Sequence, residues 1–223
     1  MDEIKKVASI VLAHDEAQNT VMRHLPIWKE HTDYLLFVCP EDSMCDIPGE
    51  EVIGYGNKEH HGFVALYRWI FTFETALKKF DADYYVFHEY DSLMFRRPVE
   101  RDLFQSNIFD VNTDQQHRWN SNTFTHFPWI FPAKLLKQLV ESIEPTPFEE
   151  GMSDRWLPCN LDRIEIPTYN LLKSQEGFSS NSIDSQELLE ELIRRARNGA
   201  YAFHGIKTEE VLSELVKNIN YNL

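Results

Sequence analysis

Thiols are few. Cys39, Cys45 and Cys159 are the only cysteines, and no two of them form a CxxC pair. An odd, uneven set of this kind excludes a disulfide framework and a zinc ribbon. The expectation is reduced thiols in a cytoplasmic protein. Cys39 lies in an apolar run and reads as a small core residue. Long hydrophobic runs are also missing, and no stretch approaches the roughly 20 apolar residues that cross a bilayer. The opening MDEIKK passes into a short apolar strand, which is not a secretory signal. The expectation is a protein without a membrane anchor of its own. Positive charge is scarce too: 22 Lys and Arg stand against 36 Asp and Glu, a formal net charge of −14. That balance argues against sequence-independent nucleic-acid binding, which needs a Lys/Arg excess. It leaves room for a local basic pocket that takes a phosphorylated small molecule.

Several common catalytic signatures are absent. Gly54-Tyr55-Gly56 is followed by Asn57-Lys58-Glu59, so the dinucleotide fingerprint fails. There is no GxxxxGK[ST] phosphate loop and no GxSxG nucleophile elbow. His88-Glu89 begins like HExxH, but Ser92 stands where the second His is needed. A sugar nucleotidylyltransferase would carry a Gly-rich, Arg-containing loop after its first strand; this chain has His14-Asp15-Glu16-Ala17 there.

What is present suits one domain with a real core. The chain has 223 residues, 43% of them apolar and 13% aromatic, so disorder is not its overall state. Val7 to Ala13 and Tyr34 to Cys39 are continuous apolar runs of strand length, and Tyr84 to Phe87 is a third. Glu51 to Tyr55 reads as a short strand. Asp15 to His31 has helical spacing, interrupted by Pro26, and Phe63 to Phe80 is a strong amphipathic helix. Strands alternating with helices predict an α/β layer architecture with a mostly parallel sheet. Further on, Asp110 to Thr123 reads as a polar loop, and Pro132 opens a helix to about Ile143. Thr146 to Ser153 reads as a loop and Arg163 to Ile166 as a strand. Gln175 to Asp184, rich in Ser, Gly and Asn, reads as a flexible loop of lid type. A helix over Gln186 to Asn198, a strand over Tyr201 to His204 and a helix over Glu209 to Ile219 complete the pattern.

The segment that carries chemistry is Ala82 to Phe95, ADYYVFHEYDSLMF. A buried strand ends in His88, Glu89 and Asp91, and ligands of open α/β sheets gather at the carboxyl ends of strands. Glu89 and Asp91, one residue apart in extended chain, point to the same side. Such a pair can hold a hard divalent cation that keeps sites for water and phosphate oxygens. The alternative is two solvated acids in a turn. The literal DxD, Asp81-Ala82-Asp83, stands at the start of the strand, the wrong end of the sheet, and reads as a solvated turn.

This arrangement resembles the GT-A-fold nucleotide-sugar glycosyltransferases, in particular the small soluble enzymes of bacteria and large viruses. VASIVLAHDEAQN resembles their opening strand, loop and helix. YVFHEYDSLMF resembles the strand followed by DxD and an apolar step, with Glu89 where the family usually has its first Asp. YAFHGIK resembles a C-terminal His and Lys that return to the metal and diphosphate. The resemblance implies a single GT-A-like (Rossmann-like) domain over residues 1–223. Its mixed, mostly parallel central sheet would be flanked by helices, with a nucleotide-binding half over about 1–95 and an acceptor-side half over about 96–223. It implies transfer of a sugar from a nucleotide-diphosphate sugar, with a UDP-sugar as the expected donor, to a glycan or other hydroxyl acceptor. It implies Mn²⁺ or Mg²⁺ held by Glu89, Asp91 and His204, with Mn²⁺ favoured because imidazole joins carboxylate. Lys207 would pair with the diphosphate. The other reading of His204 is a core histidine at a strand end.

For the nucleoside, the resemblance points to Ala13, His14 and Asp15 after the first strand and to Glu41 and Asp42 after the second. Gly62 and Arg68 begin a helix facing the same edge, and a helix N-terminus favours anions; a solvated or salt-bridged Arg68 is the alternative. His60 and His61 read as loop residues. An inverting transfer needs a base for the acceptor hydroxyl. By resemblance that base is Asp154, with Glu150 second, although both also suit an ordinary helix N-terminus; without either, a retaining mechanism stays open. Trp119 divides between an acceptor pocket and the core, and Trp129 reads as core. Two competing functions stand beside the transferase: a metal-dependent phosphoester or nucleotide-sugar hydrolase using the same carboxylates, and a non-catalytic nucleotide-sugar-binding module.

Overall fold

A computed structural model of the chain describes residues 5–56, 63–110, 123–143 and 153–219, those of 63–67 and 153–155 by their backbone only. The central layer is a mixed sheet. Its first strands are β1 (Val7–Leu12), β2 (Tyr34–Cys39), β3 (Glu51–Gly54) and β4 (Tyr84–Glu89), and it is completed by β6 (Phe104–Asp110), β7 (Thr123–Pro132) and β8 (Thr168–Asn170). Their order is β3-β2-β1-β4-β7-β6-β8. β1 lies between β2 and β4, parallel to both, and β3 extends the parallel half. β7 runs antiparallel to β4 and β6, and β8 is parallel to β6. A strand buried on both faces needs apolar residues at every position rather than at alternate ones. YLLFVC meets that need and VASIVL does so at all but Ser9, and β1 is buried along nearly its whole length.

Helices cover both faces. On one side lie α2 (Phe63–Lys79), α3 (Ala133–Ser142) and α4 (Ser153–Arg163). Trp69, Phe73 and Ala76 of α2 pack with Leu136, Trp156 and Leu161 against Ile10, Phe87, Trp129 and Phe131 of the sheet. On the other side lie α1 (Gln18–His31), α5 (Gln186–Arg197) and α6 (Glu209–Asn218). α1 buries Val21, His24, Leu25 and Trp28, one stripe at helical spacing. α1 runs through the exposed Pro26 rather than being interrupted there. A small second sheet completes this layer, with order β5-β10-β9: β5 (Ser92–Met94), β10 (Ala202–His204) and β9 (Gly177–Ser179). The second core therefore joins Trp28 and Phe37 to Leu93, Phe178, Leu192, Phe203 and Leu215. Cys39 and Cys45 are buried, and no disulfide forms among the described residues.

The described residues depart from sequence expectation in several places. Arg163 to Ile166 is not a strand: α4 runs through Arg163, a turn follows in which Glu165 takes a positive φ of 55°, and the strand comes later at Thr168–Asn170. Gln175 to Asp184 is not a free lid over its whole length, because β9 pairs in parallel with β10 and buries Phe178. Two central strands, β6 and β7, stand where no strand was expected. Pro132 does open a helix, as the N-cap of α3. Residues 111–122, and 146–152 of the expected Thr146 to Ser153 loop, lie outside the described residues, and so do His60, His61 and Trp119. No described helix is long and apolar enough to cross a membrane.

Candidate metal centre

β4 ends at Glu89, turns through Tyr90 and Asp91, and continues as β5. The turn is held from several directions. The Asp91 carbonyl accepts from the backbone N–H of Gly205 at 3.1 Å and of Ile206 at 2.9 Å, which fixes the end of β10 against it. β10 pairs antiparallel with β5, with His204 opposite Ser92. From α1, His24 Nδ1 stands 3.0 Å from the Tyr90 carbonyl and Trp28 Nε1 donates to the Ser92 carbonyl at 3.1 Å. His88 lies in the interior and joins Nδ1 to Ser92 Oγ at 3.0 Å; burial pushes its imidazole down to about 3. It is a neutral brace of the turn, not a member of the cluster.

Glu89, Asp91 and His204 meet at this point. His204 Nε2 is 3.4 Å from Glu89 Oε2 and 3.5 Å from Asp91 Oδ1. One ligand atom from each lies within 4.8 Å of the others, and together they can hold a metal ion. Two donors each about 2.1 Å from one cation at right angles are about 3 Å apart, so the set needs little adjustment. Asp91 is 2% exposed, and its Oδ1 accepts no hydrogen bond among the described residues. A buried carboxylate oxygen left in that state is costly without a cation or donor to meet it. His204 is buried as well, while the Glu89 side chain is 41% exposed. Lys207 Nζ stands 3.5 Å from Asp91 Oδ2 with its side chain 43% exposed, which brings a positive charge to the rim. Asp81 and Asp83 are at the other end of β4, where Asp83 Oδ2 accepts from the Lys6 backbone N–H at 2.8 Å.

Of the expected nucleoside residues, His14 reaches this turn through Tyr90. Ala13 is buried, and its N–H bonds to the Val38 carbonyl at 3.1 Å. The His14 ring meets Tyr90 edge-on at 5.0 Å. Asp15 Oδ1 accepts from the Ser43 hydroxyl at 2.5 Å and from the Glu16 N–H at 2.7 Å. Much of that carboxylate's capacity therefore goes to tying the ends of β1 and β2 together. Glu41 and Asp42 are exposed after β2. Arg68 is 7% exposed, so it is not a solvated helix residue. Burial pushes its guanidinium below its ordinary value, while the Cys39 thiol, Asp42 and Tyr55 pull the other way. Gly62 and Glu150 lie outside the described residues; Asp154 is in the first turn of α4, with its side chain outside them.

Two residues near the cluster were not found from sequence. Ser179 Oγ lies 3.2 Å from His204 Nδ1 and 2.8 Å from His126 Nδ1. The His126 ring is 4.9 Å from that of His204 and is flanked by Phe109 and Phe124 at 4.9 and 5.1 Å. Burial pushes the His126 imidazole down to about 4, so it is neutral at ordinary pH. No protein-family model matches the chain, and no curated protein matches it.

The α1 brace has a pH signature. Burial pushes His24 from 6.5 down to about 4, with Tyr90 and Asp91 acting to raise it and Arg23 to lower it. His88, buried and neutral, faces it across the core. The folded state keeps His24 neutral, whereas the unfolded chain takes up a proton below about 6.5. Its contribution is therefore full above about pH 6.5 and is lost as pH falls toward 4. The slope reaches about 1.4 kcal/mol per pH unit, or about 3 kcal/mol over the window. Denaturant unfolding at pH 7, 6, 5 and 4 measures it. The His24→Gln variant should lose less stability over the same window than the wild type. Identical pH slopes would remove His24 from the account.

Proposed function

We propose that the chain is a metal-dependent glycosyltransferase of GT-A type, moving a sugar from a nucleotide-diphosphate donor to a hydroxyl of a glycan or other acceptor. One observation carries the reading: Glu89 and His204, 115 residues apart in sequence, converge with Asp91 at the carboxyl end of a central strand, and Lys207 joins them at the rim. The buried Asp91 oxygen, without a hydrogen bond among the described residues, and the carboxylate–imidazole donor set both fit a divalent cation. Imidazole beside carboxylate favours Mn²⁺ over Mg²⁺. When bound, the ion supplies charge neutralisation to a departing diphosphate.

The protein's own groups do the rest. Asp91 and His204 are fixed by burial, and Glu89 binds directly or through water from the open side. Lys207 pairs with diphosphate oxygens, which answers locally the problem that a chain of net charge −14 must receive a polyanion. Ala13, His14, Asp15 and Glu41 take the base and ribose, with Arg68 as the cation of that side and Gly62 assigned there by resemblance alone. Asp154 takes the acceptor proton, with Glu150 as the alternative base. UDP is the first nucleotide to test. Calorimetry with UDP, GDP and CMP should show one nucleotide whose affinity rises at least about tenfold on adding Mn²⁺, a gain of about 1.4 kcal/mol. Nucleotide binding that is absent, or indifferent to the metal, would sink the reading. Donor cleavage at full speed without an acceptor would move it to the hydrolase.

A further inference from the structure

We infer that Ser179 is a positioning residue of the proposed metal centre: its hydroxyl receives the Nδ1 proton of His204 and so turns Nε2, as a lone pair, toward Glu89 and Asp91. The inference rests on the metal reading above and concerns how this chain's own residues prepare the site. Its basis is register. β9 pairs in parallel with β10, and Ser179 stands directly opposite His204. Side chains opposite one another in a parallel pair share a face, and the two meet at 3.2 Å.

A serine hydroxyl has one proton to give and lone pairs to receive with. His126 Nδ1, 2.8 Å away, is where that proton goes. The chain of donors then has one direction: His204 Nδ1–H to Ser179 Oγ, and Ser179 O–H to His126 Nδ1. The opposite direction would put a proton on His204 Nε2, in the place a cation needs. A ligating imidazole whose other nitrogen donates to a fixed acceptor is held in tautomer and ring orientation.

The acceptor is itself fixed. Asn107 Nδ2 donates to the Phe178 carbonyl at 3.4 Å, and Arg195 of α5 donates to the Gly177 carbonyl at 2.7 Å, so β9 is tied on both sides of Phe178. His126 is held on β7 among Phe109, Phe124 and His204. Ser106 Oγ donates to the His126 carbonyl at 2.8 Å. Nothing in this set needs to move for Ser179 to serve His204.

The test uses Mn²⁺ alone as probe, titrated into the full chain and followed by the electron-resonance signal of the free ion. Ser179→Thr keeps the hydroxyl, and Ser179→Val has nearly the same shape without it. The wild type and the Thr variant should bind within about threefold of each other, while the Val variant should bind about 10- to 100-fold more weakly. Circular dichroism checks that each is folded, and Ser179→Ala replaces the Val variant if that one does not fold. Equal affinity in the wild type and the hydroxyl-free variant overturns the inference and leaves the metal reading standing. Equal losses in Thr and Val overturn it too, because packing would then be the cause. A wild type that binds no Mn²⁺ overturns both readings.

Discussion

Asp91→Asn should abolish Mn²⁺ binding in any useful range, raising Kd by at least about 100-fold, beyond the loss usual for a partner outside the metal's own ligands. The same change should leave the metal-free protein as stable as before, or more stable by about 1 kcal/mol. The two expectations come from one fact. Asp91 is 2% exposed, and one of its oxygens accepts no hydrogen bond among the described residues. An amide of the same shape carries no charge to desolvate, so the apo fold loses little. Lys207, 3.5 Å from the other oxygen, loses its partner but keeps its access to water. A carboxylate kept for structure would behave in the opposite way: its removal would lower stability with and without metal. Thermal melts separate the cases. At a metal concentration about 100 times Kd the wild type should gain about 2.7 kcal/mol, or roughly 5–10 °C for a chain of this size. The variant should gain nothing. A variant that still gains those degrees removes Asp91 from the metal site.

That the Glu89–Asp91 pair could be chosen over Asp81–Asp83 from sequence alone follows from where each stands on the strand. YYVFHE is apolar until its last residues, so its carboxyl end is visible as the place where acids begin. The same logic made β1 and β2 legible, because strands buried on both faces carry no alternation to misread. It failed for β6. FQSNIFD looks like a loop because Gln105, Ser106 and Asn107 are polar, yet all three are buried. Each finds a carbonyl: Gln105 donates to Val99, Ser106 to His126 and Asn107 to Phe127. Polar residues paired in this way cost little inside a sheet, and nothing local announces the partners. β7 was hidden for another reason. Pro128 has no N–H for the ladder, and the register between β6 and β7 shifts beside it.

His204 came forward through resemblance, and its neighbours did not. Ser179 sits in a Ser-, Gly- and Asn-rich stretch whose composition reads as flexible. Its order comes from β10 and α5, which reach it from later in the chain. His126 belongs to the strand that was missed. The candidate ligands Glu89 and Asp91 thus lie where local pattern is strong, while Ser179 and His126 beside His204 depend on long-range pairing.

Gly205→Ala should be the most damaging single methyl in the described part of the protein. Gly205 follows His204 directly and holds φ at 91°, a region L side chains rarely enter. A Cβ there would lie 2.0 Å from the Ser180 carbonyl oxygen, a backbone atom that cannot rotate aside. The cost has two parts, about 1–2 kcal/mol for the backbone conformation and about 1–3 kcal/mol for the overlap. Their sum, about 2–5 kcal/mol, corresponds to a fall in Tm of roughly 5–20 °C. Relief requires β9 and β10 to separate at this point. That movement carries Gly205 and Ile206 away from the Asp91 carbonyl they now hold, and His204 away from Ser179. The variant should therefore lose Mn²⁺ affinity along with stability. Gly49→Ala is the control, since Gly49 has φ 78° but nothing within 4 Å of an added Cβ. It should cost about 1–2 kcal/mol and leave Mn²⁺ binding intact. Melts and metal titrations on both variants settle the matter: if Gly205→Ala loses no more stability than Gly49→Ala, and binds Mn²⁺ as the wild type does, the end of β10 does not govern the site.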